Sequence, residues 1–420
     1  MSNSISNNMS NNTCNIISYL YNPNSLDEFQ QKCFVCVVDN LVVGNITTIK
    51  MNLDNNSLIP IILPDWQTFL KILQTPNHQF IERPIPIMLG TIWNGEDFIA
   101  PSETEIVSTT DNGVYVKINN SYIYYDNNIW PPIVEHTMYI IGLIRNYLES
   151  NPSLEVNIVL VIANKKTISF DNNNKIIYIY CNVEQTIIDD TAITLSKEPL
   201  SKIQFNNKYY TVNMEMFDDF KNNDIIIEYS KPNIKNIEIS GLYQEFLPKM
   251  EYISAALYKN VTTNQNVKTV DTLTLFGDIN LSPRRTQKLE EINNLLTNHR
   301  NENNYYGEEL KTLLENTKIL VNIHQSDHEN TFEEIRVLPA LQQRVLVISE
   351  VSPLTEIVPF NPLIIWATYD NIIQKIKEVL DNYETYYSQI FTDQHIFILN
   401  NLHNQNIINL NNKLNNYLQK

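Results

Sequence analysis

The sequence predicts an α/β protein with mainly parallel sheets, preceded by a β-rich N-terminal module, and three observations carry that reading. Short, mostly apolar runs, such as VNIVLVIA at Val156–Ala163 and the run at Lys318–Ile323, have the composition of strands buried on both faces. From about residue 129 such runs alternate with segments whose apolar residues recur at helical spacing. Between about 30 and 128, by contrast, strand-like runs follow one another with Asn, Asp, Gly and Pro between them.

Residues 1–15 are polar and Asn-rich and read as a disordered tail. The module at 30–128 contains one helix candidate, Asp65–Leu73, behind an acidic cap. The first α/β half, 129–265, then predicts a helix at Thr137–Leu148 and strands at Val156–Ala163, Lys175–Thr186, Asp224–Glu228 and Asn236–Ser240. A helix at Tyr243–Leu257 and a polar connection at 260–271 complete it. The second half, 266–400, restarts with a strand at Thr272–Phe276 and a helix at Arg284–Leu296, opened by Ser282-Pro283. A helix at Tyr306–Glu315 leads to the strand Lys318–Ile323. Phe332, Ile335, Val337, Leu338 and Leu341 mark the next helix, and Val345–Ile348 the next strand. Asn361–Ala367 reads as a last strand, Tyr369–Tyr387 as one long helix, and 401–420 as an Asn-rich helical tail. Two α/β halves joined by a linker put a cleft between them.

A chain of 420 residues with 43% hydrophobic residues has room for two or three domains with buried cores. Its formal net charge of −17 argues against nucleic acid and against an anionic membrane surface as partner. No apolar run is long enough to span a bilayer, and the N-terminus lacks signal-peptide features, so the expected location is cytoplasmic. The one C-x-x-C, Cys33–Cys36, lies inside an apolar strand-like run and reads as buried thiols. Asn and Ile recur throughout, as AT-rich coding produces, so Asn runs carry no functional weight. Dinucleotide, P-loop and nucleophile-elbow glycine motifs are absent from the sequence.

In parallel sheets ligands sit beyond the carboxyl ends of the strands, which directs attention to the polar residues there. Arg284 and Arg285 follow a strand and open a helix, where free N–H groups and the positive dipole end attract anions. A solvated pair of charges is the alternative. His324 ends a strand and offers a ring N–H to a ligand, or is a satisfied structural histidine. His324, Asp327, His328 and Glu329 have the composition of a metal cluster, but the two histidines chelate only on a helix and this segment leaves a strand into a loop. Glu333, Glu334 and Arg336 open the next helix, where a carboxylate caps the dipole or accepts ribose hydroxyls. Glu350 ends a strand and either accepts from sugar hydroxyls or pairs with Arg336.

These residues bring a family into view. FGDINLSPRRTQKLEEI followed by KILVNIHQSDHENTFEEIRVLPALQQRVLVISE resembles the C-terminal half of glycosyltransferases of bacterial and viral type with two facing Rossmann-like domains, the GT-B architecture. YIYCNVEQT is similar to the strand end "iNxEQ" of their N-terminal half. The resemblance implies transfer of a sugar from a nucleotide-sugar donor to a glycan or protein acceptor, with no metal and no cofactor beyond the donor. It implies that Gly277, Arg284 and Arg285 face the diphosphate and that His324 lines the sugar or phosphate pocket. Glu333, Glu334 and Arg336 then lie near ribose and diphosphate, and Glu350 near the donor. On the acceptor side it implies Asn182, Glu184 and Gln185; a base near Glu184 serves an inverting reaction, a retaining one needs none so placed, and the sequence does not choose between them. The chain departs from the family at Pro339, where many relatives hold the ribose with glutamate, and at Arg344, a position usually glycine. NHRNENNYY also replaces a strand. These departures define the alternative, a catalytically inactive GT-B-like protein that binds a glycan or partner or plays a structural role.

Overall fold

The structure is a computed structural model that describes residues 32–38, 41–46, 78–84, 92–93, 98–99, 106–110, 113–126, 133–162, 167–189, 200–205, 208–213, 215–262, 267–276, 282–302, 305, 307–325 and 331–419. The expected tail at 1–15 and the helix candidate at Asp65–Leu73 lie outside these residues. The chain divides into two compact units, one of residues 1–87 with 276–278 and 300–304, the other of 88–275, 279–299 and 305–420. In the first, β1 (Lys32–Val38), β2 (Leu41–Ile46) and β3 (His78–Pro84) form an antiparallel sheet in the order β2-β1-β3. Cys33 and Cys36 both fall on β1.

The second unit carries the α/β architecture. After a short ladder of β4 (Ile92–Trp93) and β5 (Phe98–Ile99), a seven-stranded sheet begins with β6 (Ile106–Thr110), β7 (Gly113–Ile118) and β8 (Ser121–Asp126). It continues through β9 (Val156–Val161), β10 (Lys175–Asn182), β14 (Ile225–Glu228) and β15 (Met250–Tyr252), in the order β15-β14-β10-β9-β8-β7-β6. From β8 to β15 every pairing is parallel, whereas β6, β7 and β8 pair antiparallel. The sheet therefore crosses the boundary expected at residue 128. Strands β6–β8 belong with the α/β half because β8 pairs with β9 along its length, Tyr122 to Tyr125 against Asn157 to Leu160. A small antiparallel sheet of β11 (Ile187–Asp189), β12 (Leu200–Phe205) and β13 (Lys208–Asn213) follows β10.

The second sheet holds β16 (Val270–Thr274), β17 (His299–Asn301), β18 (Thr317–Asn322), β19 (Leu346–Glu350) and β20 (Ile364–Ala367), in the order β17-β16-β18-β19-β20. The pairings β16–β18, β18–β19 and β19–β20 are parallel. All five residues of β19 and all six of β9 are buried, as apolar runs sandwiched between helix layers must be. Both halves are thus Rossmann-like, with parallel strands alternating with α1 (Val134–Ser150), α2 (Glu215–Asn222) and α3 (Lys231–Ser240) in the first. The second has α4 (Pro283–Leu295), α5 (Gly307–Glu315), α6 (Glu334–Gln342), α7 (Ile372–Asp381) and α8 (Tyr383–Ile390). Among the described residues no helix is long and apolar enough to cross a membrane.

Several elements differ from the sequence expectation. Asn236–Ser240 is not a strand but the end of α3, which starts behind Ser230 with Pro232 in its first turn and stops at Gly241, φ 77°. Its buried Asn233, Ile237 and Ser240 recur every three to four residues, the helical period. The helix expected at Tyr243–Leu257 is a 3₁₀ segment, Gln244–Lys249, interrupted by Pro248, followed by β15. Asn382 splits the helix expected at Tyr369–Tyr387 into α7 and α8. His299–Asn301, expected to be poor strand material, forms the edge strand β17, with His299 Nδ1 2.8 Å from the Thr272 hydroxyl.

The tail expected at 401–420 is part of α9 (Asp393–Leu418), which returns to the first sheet. Its own Leu399, Leu410 and Leu414 are fully buried. Asn406 accepts from the Ser254 amide at 3.0 Å and donates to the Ser254 carbonyl and the Tyr139 hydroxyl, both at 2.9 Å. The helix is therefore cover for the first half, not an appendage.

Arg344 occupies the position where a glycine was expected, and its backbone explains the expectation. It lies at φ 53° just past the end of α6, with its amide on the Leu341 carbonyl and the Val345 amide on that of Ala340, both at 3.0 Å. This is a Schellman helix stop, whose left-handed residue favours glycine. Arg344→Gly should stabilise the protein by about 0.5–1 kcal/mol in urea titration, the left-handed strain relieved less the added backbone entropy. An unchanged or lowered midpoint would mean that the arginine side chain offsets its own strain.

Candidate functional site: an arginine–carboxylate cluster at the strand ends

The carboxyl ends of β18 and β19 are tied to the first turn of α4. Ser282 caps α4, its Oγ accepting the Arg285 amide at 3.3 Å and its hydroxyl donating to the Gln325 carbonyl at 2.7 Å. Arg285 Nε donates to the Ile323 carbonyl at 2.9 Å and Arg284 NH1 to the His324 carbonyl at 3.2 Å. Three successive carbonyls leaving β18 are thus held by three residues of one helix start. The Arg284 guanidinium then forks onto Glu350, at 2.6 Å and 3.0 Å, and lies 4.0 Å from the centroid of the Tyr369 ring. Glu350 also accepts the His324 amide at 3.1 Å.

Glu333 sits between two guanidiniums. Arg285 NH2 donates to it at 3.0 Å and Arg336 NH1 at 2.6 Å, while Arg336 also donates to Asn322 Oδ1 at 2.9 Å. Burial pushes the Glu333 carboxyl up, but Arg336, Arg285 and His324 outweigh it and hold it at about 2. Arg284, Arg285, His324, Glu333, Arg336 and Glu350 consequently share one network. Three guanidiniums face two carboxylates, so the arginines and glutamates leave one positive charge in a chain of net charge −17.

The remaining candidates lie elsewhere. Glu334, adjacent to Glu333, turns the other way and accepts the Tyr252 hydroxyl at 2.6 Å, both side chains buried. Here the carboxyl edges of the two sheets meet, since Tyr252 ends β15 and Glu334 starts the helix after β18. Glu334 is therefore a bridge between halves and does not join the arginine network. Asn182 is buried as well, donating to Glu228 at 2.6 Å and to Thr186 at 3.1 Å. Asn233 donates to the same Glu228 oxygen at 2.8 Å. Glu184 is exposed on the loop after β10, its amide 3.4 Å from Asn182 Oδ1, and Gln185 is half-buried beside it. Gly277, Asp327, His328 and Glu329 lie outside the described residues. Among the described residues no group of three or more His, Cys, Asp or Glu side chains is placed to hold a metal ion.

Glu350 pairs with Arg284, 66 positions away, and not with Arg336, one of the two alternatives the sequence offered. The sequence reading also missed Glu228, Tyr252 and Tyr369. Each lies at or just beyond a strand's carboxyl end, so the rule that singled out His324 and Glu350 would have found them if applied to every strand.

No protein-family model matches the sequence. A protein of Acanthamoeba polyphaga mimivirus described as uncharacterized protein R358 is 28% identical over 201 residues, 46% of this chain and 69% of that one. Similar solved structures include T4 phage BGT in complex with UDP and Mn2+, at 10% identity and TM-score 0.34, covering 63% of this chain and 82% of that one. A glycosyltransferase from Rickettsia africae ESF-5 has 12% identity and TM-score 0.32, covering 66% and 80%. Accessory secretory protein 1, 2 and 3 of Streptococcus pneumoniae has 10% identity and TM-score 0.33, covering 73% and 63%. At these scores the account of the fold rests on the sheets themselves.

Two neighbouring glutamates respond to pH in opposite senses. Burial raises Glu334 from 4.5 to about 8, and raises Glu228 likewise to about 8 against hydrogen bonds from Asn182, Asn233 and Ser230. A raised carboxyl contributes stability that is complete below about 4.5 and is lost as pH rises through about 8, whereas the Glu333 contribution is lost as pH falls through about 2. Glu334→Gln should therefore flatten the fall in stability between pH 5 and 8, by up to about 1.4 kcal/mol per pH unit relative to the unmodified chain. Parallel stability–pH curves for the two proteins would show that Glu334 titrates normally in the fold.

Proposed function

We propose that the chain transfers a glycosyl unit from a nucleotide-sugar donor to a glycan or protein acceptor. The observation that carries this reading is the surplus guanidinium charge at the carboxyl edge of β18 and β19, beside the α4 N-terminus. The sequence motifs across the same residues, with their resemblance to GT-B glycosyltransferases, support it from a separate direction.

In this reading Arg284, Arg285 and Arg336 take the donor diphosphate and stabilise the charge that develops on its leaving oxygen. Glu350 and Glu333 fix the planes of those guanidiniums, and His324 lines the donor sugar or phosphate pocket. Gly277 keeps the diphosphate-facing role that the motif implies. Glu334 positions α6 from behind. On the acceptor side Glu184 is the base that receives the acceptor hydroxyl proton in an inverting reaction, Gln185 flanks it, and Asn182 holds their loop through Glu228.

A second reading, a non-catalytic protein of the same architecture, is favoured by one specific observation. Pro339 lies inside α6 and is buried, where the family's ribose-holding carboxylate would stand. Turnover separates the two. Hydrolysis or transfer from any of a panel of nucleotide sugars supports the transferase, and nucleoside diphosphate binding without either supports the silent protein.

The phosphate role of Arg284 has its own test. Arg284→Gln should weaken binding of a nucleoside diphosphate by about 1.5–3 kcal/mol, tenfold or more, while leaving the matching nucleoside nearly unaffected. Calorimetry reads both ligands, with a melting curve to establish that the variant is folded. Equal losses for both would remove the phosphate role.

A further inference from the structure

Tyr252, whose hydroxyl meets Glu334, also lines open space outside the arginine cluster. Two hollows of about 520 and 360 Å³ share Lys231, Glu251 and Tyr252, at the carboxyl ends of β14 and β15. The larger is walled on its other side by α9, through Phe397, Asn401, Gln405 and Asn409. Those four residues are spaced four apart and form a single ridge, one aromatic ring followed by three amides, ~18 Å long at 1.5 Å per residue. Phe397 is 70% exposed. The amides at the other end are held in place, with Asn409 donating to the Tyr252 carbonyl at 3.1 Å and Gln405 donating to Asn409 at 2.8 Å.

We propose that this cavity binds a neutral oligosaccharide. One lysine and one glutamate line it, and the Lys231 ammonium already lies 5.2 Å from the Tyr252 ring centroid, so the lining selects against a highly charged ligand. A sugar has the complementary chemistry. The apolar face of its ring stacks on an exposed aromatic, and its hydroxyls, each both donor and acceptor, match amides that are also both. A ridge of this length spans more than one sugar ring. The site uses none of the residues of the arginine cluster, and it stands whether or not the chain is a transferase.

The test uses the full chain with maltotetraose, cellotetraose and chitotetraose as probes, read by saturation-transfer NMR and calorimetry. At least one should bind. Phe397→Ala, and Asn401→Ala with Gln405→Ala, should each weaken it at least fivefold, with the melting temperature and nucleoside diphosphate binding unchanged. Failure of all three probes to bind at millimolar concentration overturns the proposal. So does binding that survives both variants, or binding lost in Arg284→Gln but kept in Phe397→Ala, which would put the sugar in the arginine cluster. An oligosaccharide bound here by a chain with no affinity for nucleoside diphosphates would leave this site standing and remove the transferase reading.

Discussion

The first turn of α6 is the constraint on which the architecture turns. Glu333 and Glu334 are neighbours, yet Arg336 and Arg285 hold the carboxyl of one low, whereas burial against Tyr252 pushes that of the other up. Successive residues at a helix start diverge by roughly 100°, so a helix placed between two sheet edges can address both. The arrangement needs two carboxyl groups of opposite protonation preference side by side. An ionised Glu334 would put a second negative charge near Glu228, and a neutral Glu333 would weaken the pairing of the buried Arg285 and the half-buried Arg336.

Charge distribution follows the same logic at larger scale. A strongly acidic chain repels anions on average, but the field at one edge is set by the groups within a few ångströms. At the ends of β18 and β19 those groups are guanidiniums locked by geometry. Arg284 is braced by Glu350, the His324 carbonyl and the Tyr369 ring, so it is oriented before any ligand arrives. Such preorganisation lowers the conformational cost of binding.

The sequence made strands and their ends legible because buried parallel strands leave little choice of residue. The Leu346–Ile348 run of β19 is apolar until it reaches the edge, and Ser349 and Glu350 mark it. Helices were harder in the Asn-rich stretches. In α3 a short NIEIS run alternates like a strand, and only Ser230, Pro232 and Gly241 frame it as a helix. Pairing was the least legible feature. Glu350 had a cation fourteen positions away in Arg336, and the fold gave it Arg284 instead, because the α4 start is laid across the β18 end by three backbone carbonyls that composition does not encode. The side of the sheet edge on which Glu334 falls was equally hidden, since it depends on where β15 ends.

The return of α9 to the first half has a consequence for how the chain is made. Strand β15 and the segment after it, through Ser254, are bonded by Lys413, Asn409 and Asn406, which leave the ribosome only after the whole second sheet has been synthesised. Until then the first sheet has an open flank, with the Ser254 backbone and the Tyr139 hydroxyl lacking their Asn406 partner. The first half is thus completed by residues that are synthesised after the last strand of the second sheet. The half that is made first is finished last.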